Sequence, residues 1–162
     1  MQDAASERER GRELMEHAAG AIVDGVERLA PAWVVRVVTR VADVSGVLDE
    51  QQRAALLRDA TGAGEAGAAR VAAELRALFS LPPEHQHATP LEIVRSLRHE
   101  ATGVLARAGV PEVARDRFEQ RAFPDDVYGI VPRSLADLGD DELGPLLLMW
   151  GLGKTRALRG SM

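Results

Sequence analysis

The chain has 162 residues, 25 acidic against 20 basic, for a formal net charge of -5. That length suits a single domain with a sizeable core. The acidic balance disfavours a sequence-independent nucleic-acid binder or a protein held on an anionic membrane, since both need a basic face, and the lack of cysteine excludes disulfides, thiolate metal sites and cysteine nucleophiles.

Hydrophobic residues make up 46% of the chain but aromatics only 4%, so the core must be built from Ala, Val and Leu. Lys154 is the one lysine beside many arginines, a bias of GC-rich bacterial coding that takes weight from any individual Arg. The first residues, MQDAASERERGRE, are charged and lack an apolar stretch, so no secretory signal is visible, and residues 1–10 are expected to fray. The longest apolar runs lie at residues 33–44, interrupted by Arg36, Thr39, Arg40 and Asp43, and at residues 146–150. Both fall short of the roughly 20 residues that span a bilayer. The expectation is a cytoplasmic protein.

Over residues 6–29, Leu14, Ala18, Ile22, Val26 and Leu29 recur at spacings of three and four, the pattern of one buried helix face. Pro31 is expected to end or kink that helix. The following PAWVVRVVTRVADVSG is rich in β-branched Val, but Arg36, Thr39, Arg40 and Asp43 share one face at helical period. Val34, Val37, Val38, Val41 and Val44 then take the other, so a second helix is predicted. A third starts at Asp49, with Gln52 placed to complete a capping box. Three glycines in TGAGEAG, residues 61–67, predict a break, since each costs roughly 1 kcal/mol in a helix interior. A fourth helix follows, with Val71, Leu75, Leu78 and Phe79 inward.

SLPPEHQHA reads as a loop. Thr89-Pro90-Leu91-Glu92 then supplies an N-cap, a first-turn proline and a capping-box Glu. The fifth helix it opens buries Ile93, Val94, Leu97, Ala101, Val104, Leu105 and Ala108 and stops at Gly109 and Pro111. A sixth is predicted over residues 111–122, then a turn-rich segment with a short helix capped by Ser134 and Asp137. A last helix from Asp140 or Asp141 runs past Trp150, with Asp140, Asp141 and Glu142 favouring its N-terminus. The fold class is all-α, a bundle or orthogonal array of six to seven helices.

GLGKT, residues 151–155, ends like a phosphate-binding loop. Such a loop needs a glycine five positions before its Gly-Lys, and that place holds Leu148. No strand–helix alternation surrounds it either. Nucleotide binding there is disfavoured, and the segment reads as a helix with Gly151 and Gly153 where another helix packs closely. His85 and His87 could bind a metal if His99, Glu100, Asp125 or Asp126 joined them, against the plainer reading of a solvated loop. Asp125 and Asp126 read as turn residues, with a catalytic role kept open by nearby Tyr128 and Arg133. No GxSxG context supports a serine nucleophile, and no motif calls for a cofactor. Trp33 and Trp150 read as core rings or as the rim of a cleft or subunit interface.

The stretch from Thr89 to Leu158 joins a Pro-Leu-Glu helix start, a Gly-Val-Pro turn, an Arg-Asp helix, FPDDVYG and a Trp-Gly close. In this it resembles a group of uncharacterised actinobacterial helical proteins. The resemblance implies a soluble bacterial protein and assigns no activity.

The leading expectation is a non-catalytic interaction or regulatory module that binds a copy of itself or another protein. Its contact segment would be residues 123–133, with Phe123, Asp125, Asp126, Tyr128 and Arg133 as anchors. The alternative is a small-ligand binder or metal-dependent enzyme with a pocket among the helices, using Asp125, Asp126, Tyr128 and the histidines. A transcription regulator using Arg115, Arg117 and Arg121 is disfavoured by charge.

Overall fold

Two helix starts follow the capping chemistry. In the computed structural model, which describes residues 2–112, 127–130, 138 and 142–159, α2 (Glu50–Phe79) opens where Asp49 accepts from the Gln52 amide and Gln52 accepts from the Asp49 amide. Thr89 and Glu92 make the same reciprocal pair at the start of α3 (Pro90–Arg95). The other described elements are α1 (Gln2–Ser45), a 3-10 turn (Pro83–His85), α4 (Arg98–Arg107) and α5 (Leu143–Leu158). The described residues contain no strand, and none of their helices is long and apolar enough to cross a membrane.

Two predicted breaks are absent. The two helices expected on either side of Pro31 are one 44-residue α1, about 66 Å long at helical rise, and α2 runs unbroken through TGAGEAG. The two exceptions meet in space. A Cβ on Gly64 would lie 2.9 Å from the Pro31 carbonyl oxygen and 3.1 Å from its Cα. Gly64 therefore lets α2 press against α1 at the proline, and this close packing outweighs what each residue costs its own helix. Val44, expected inside, is 80% exposed, because the buried line of α1 ends at Ala42 just before the turn.

The order of contacts fixes the topology. Along α1 and α2 the pairs Asp43–Arg53, Pro31–Gly64 and Glu27–Arg76 run in opposite directions, so the helices are antiparallel. Asp43 holds Arg53 by two hydrogen bonds, of 2.9 and 3.2 Å, across the tight connection, and the donated bonds hold its carboxyl below the usual range. Glu7–Arg159, Gly11–Gly153 and Arg28–Glu142 set α5 antiparallel to α1 as well. Glu142 thus faces a specific Arg, 2.7 Å away, besides lying at the start of α5. The N-terminal region expected to fray is helical from Gln2 and tied to α5 through Glu7.

The predicted fifth helix is split in two at Ser96 and Leu97. There the His99 and Glu100 amides bond three residues back, to Ser96 and Leu97, tightening the turn. Arg70 of α2 reaches into the break, donating to Ser96 Oγ at 3.1 Å, the Ser96 carbonyl at 3.4 Å and both Glu100 oxygens at 3.0 Å. The apolar face survives the split: Val94, Leu97, Ala101, Val104 and Leu105 are all fully buried. Gly109, at φ 77°, closes α4, with its amide on Ala106 and the Val110 amide on Leu105. That pair of bonds is a Schellman ending. Of the predicted helix over residues 111–122, Pro111 and Glu112 are not helical and residues 113–122 lie outside the described residues, as does the short helix at Ser134 and Asp137. So do Asp140 and Asp141; the last helix starts at Leu143.

Candidate functional site

α1 is longer than α2, and this difference makes a groove. Having packed back along α1, α2 stops at Phe79, and the chain crosses through Leu81 and Pro83 towards α5. The N-terminal half of α1 is left partly uncovered. A groove of about 300 Å³ opens there, lined by Arg12, Met15, Glu16, Ala19, Phe79, Leu81, Pro83, Gln86 and Trp150. A second lobe of about 400 Å³ shares Ala19 and Phe79 and extends past Gly20, Val23 and Asp24 to Arg76 and Ser80.

Gln86 and Trp150 form the inner wall. Each is 6% exposed, and Gln86 is the one polar residue among the buried set of described residues. Its Nε2 donates to the Leu81 carbonyl at 2.9 Å, and its own carbonyl accepts from Lys154 Nζ at 2.7 Å. The loop is thereby tied to α5. The Lys154 ammonium also lies 5.2 Å from the Trp150 ring centre, within cation–π range. Phe79 meets Trp150 at 6.3 Å between ring centres, tilted by 55°, which is a favourable aromatic arrangement. Two polar atoms of this wall are closed off from water and have no hydrogen-bond partner among the described residues: Gln86 Oε1 and Trp150 Nε1.

The two tryptophans divide between the two readings of the sequence. Trp33 is a core ring, 2% exposed, while Trp150 borders the groove. GLGKT lies inside α5, where Thr155 Oγ1 donates to the Gly151 carbonyl. Gly153 is the close-packing glycine: a Cβ there would sit 2.6 Å from the Gly11 carbonyl oxygen of α1. Gly151, by contrast, faces open space.

His85 and His87 are exposed on either side of buried Gln86. Glu100, named as a further metal ligand, is engaged by Arg70, and no three His, Asp or Glu side chains come together among the described residues. Phe123, Asp125, Asp126 and Arg133, with Arg115, Arg117 and Arg121, lie outside the described residues. Tyr128 is described, and it is buried, with its hydroxyl donating to the Val110 carbonyl at 3.1 Å. It ties its segment to the end of α4.

Burial first, and then the charge of Glu112, raises the Tyr128 pKa. The unfolded chain therefore ionises its tyrosine before the folded one does, and the stability this group contributes is complete below about pH 10 and lost as pH rises through the folded value. Tyr128 is the chain's one tyrosine, so absorbance titration of the phenolate should report a midpoint above that of a model peptide. Tyr128→Phe should cost about 1 kcal/mol at neutral pH in urea melts, because the Val110 carbonyl loses its donor, and should remove this alkaline component. A normal midpoint would place the hydroxyl in water instead.

The groove is not legible in the sequence, where the histidines carry the visible chemistry and Gln86 between them bears no signature of burial. Residues 83–85 wind into a 3-10 turn rather than an extended run, so no simple alternation marks Gln86 for burial either. No family model and no solved structure matches the chain. Over 100 residues, 61% of its length, the chain is 36% identical to an imidazolonepropionase of Acidiphilium cryptum (strain JF-5), and it spans 24% of that protein, about a quarter of the relative's length.

Proposed function

We propose that this chain is a non-catalytic helical binding module whose groove, between α1, the end of α2 and α5, takes a small amphipathic molecule. One observation carries this reading: two residues that line the groove, Gln86 and Trp150, each carry a desolvated polar atom, the acceptor Oε1 and the donor Nε1, with no partner among the described residues. Leaving such a group unmade costs about 1–3 kcal/mol. A molecule that parts the walls and pairs both atoms recovers that cost, while Met15, Ala19, Phe79 and Leu81 take its apolar body. The one hydroxyl in the described lining, Ser80, is spent on the Ala77 carbonyl at 2.8 Å, and the carboxylates Glu16 and Asp24 lie on α1, so the groove is read as a binding surface.

In a Trp33→Phe background, Trp150 is the sole indole and reports directly on the groove. Titration with benzyl alcohol, benzylamine, phenylacetate and phenylacetamide should shift its emission saturably for at least one probe. Ala19 lines both lobes and is only half-buried, so Ala19→Phe should plug the groove and abolish that shift with little change in Tm. An unaltered response in the Ala19→Phe protein, or no response to any probe, would contradict the proposal.

A second reading, contact with a partner helix or a second copy, is favoured by the outer face of α5. Leu148 and Leu152, one turn apart, are 65% and 50% exposed, and Gly144 and Gly151 have open space at Cβ. On this reading the wild type sediments as a dimer, and Leu148→Lys with Leu152→Lys converts it to monomer. A monomeric wild type would leave that face without a self-partner.

A further inference from the structure

The groove's two unpaired atoms also restrict what it can hold. Resting on the reading of the groove as a ligand site, we infer that its ligand is an uncharged molecule with an amide or lactam edge on a compact apolar body.

The orientation of Gln86 is set from both sides. Its Nε2 donates to the Leu81 carbonyl, and its main-chain carbonyl is held by Lys154. Flipping the amide would turn Oε1 onto the Leu81 carbonyl, acceptor against acceptor, so Oε1 is the atom left to offer. Trp150 Nε1 can only donate. The two lining residues therefore ask for one donor and one acceptor.

A carboxylate brings acceptors alone. It satisfies Trp150 and leaves Gln86 Oε1 facing a charged oxygen. An ammonium brings donors alone and leaves Trp150 unpaired. An amide or lactam carries both a carbonyl and an N–H, one partner of the right kind for each atom. The rim adds no preference for charge, since Arg12 and Glu16 of α1 bring opposite signs one helical turn apart. Lys154 is the positive group beside the wall, and its ammonium already lies against the Gln86 carbonyl and the Trp150 face. Because both unpaired atoms are closed off from water, the ligand reaches them only as the walls part.

Calorimetric titration with phenylacetamide, phenylacetate and phenethylamine separates these chemistries on one shared body. Phenylacetamide should bind the wild type about tenfold or more tightly than either charged probe, since a site built to hydrogen-bond penalises a partner that leaves a buried group unpaired. Gln86→Met keeps the length of the side chain and removes its acceptor, and should bring the three affinities to within about twofold. Trp150→Phe keeps a ring and removes the donor; it should do the same, and serves if Gln86→Met does not fold. Equal or tighter binding of the acid or the amine overturns the inference while leaving the groove a ligand site. So does an amide preference that survives in both variants. Binding by none of the three removes the groove reading itself, and this inference with it.

Discussion

Gly153→Leu should destabilise the protein by about 3 kcal/mol. A Cβ at this position would lie 2.6 Å from the Gly11 carbonyl oxygen, 2.9 Å from Met15 Cγ and 3.0 Å from the Met15 amide nitrogen. The reciprocal Cβ on Gly11 would lie 2.5 Å from the Gly153 oxygen and 2.6 Å from the Ala157 amide nitrogen. Most of these neighbours are backbone and cannot turn aside. The two helices must separate, and Trp150, one turn before Gly153, leaves the groove wall with them. Gly62→Ala is the control. Gly62 lies inside α2 with no atom within 4 Å of its would-be Cβ, so the alanine should raise stability by about 0.5–1 kcal/mol through helix propensity and a less flexible unfolded chain. Urea melts of the two variants should move in opposite directions. A Gly153→Leu protein as stable as the wild type would mean that α5 does not cross α1 at this point.

Gln86→Glu should cost about 2–4 kcal/mol at pH 7, although it changes one atom of a side chain. The position is 6% exposed. The substitution replaces the Nε2 donor to Leu81 by a second oxygen, so a buried carboxylate faces a carbonyl. Lys154, already committed to the Gln86 main-chain carbonyl, is the nearby cation that offsets part of the charge. Burial raises the folded pKa of the new carboxyl above its unfolded value. The folded state then binds the proton more tightly, so the penalty is smallest below the unfolded pKa, near 4.3, and grows as pH rises through it. Melts between pH 4 and pH 8 should show the Gln86→Glu and wild-type curves converging at the acid end. A constant gap would mean that the side chain reaches water.

What could be read from the sequence was local. Asp49 with Gln52 and Thr89 with Glu92 satisfy helix-end amides within four residues, so the pattern of residue types is the mechanism, and both caps formed as expected. Gly109 ends α4 for the same kind of reason. The misreadings share a cause too. Pro31 and Gly64 each disfavour a helix when considered along the chain, yet they face one another across two helices, and that compensation is a property of the packed pair. Ser96 gives no sign that Arg70, 26 residues earlier, will hold its carbonyl where the helix tightens. Gly153 was legible as a packing glycine because a phosphate-binding loop could be rejected on spacing, but its partner Gly11 was not. At the site, Trp150 could be suspected from the scarcity of aromatics. Gln86 could not, because burial of an amide depends on where α2 ends relative to α1.

The most direct test of the groove is a two-dimensional amide spectrum of the ¹⁵N-labelled protein titrated with phenylacetamide. Trp33 and Trp150 are the chain's only two indoles, and a Trp33→Phe sample assigns their Nε1–H signals. The Trp150 indole proton, without a partner among the described residues, should move downfield as it acquires an acceptor, with the Gln86 side-chain amide shifting as well and the Trp33 indole staying still. A spectrum in which the probe leaves Trp150 unmoved, or moves Trp33 as far, would contradict the account.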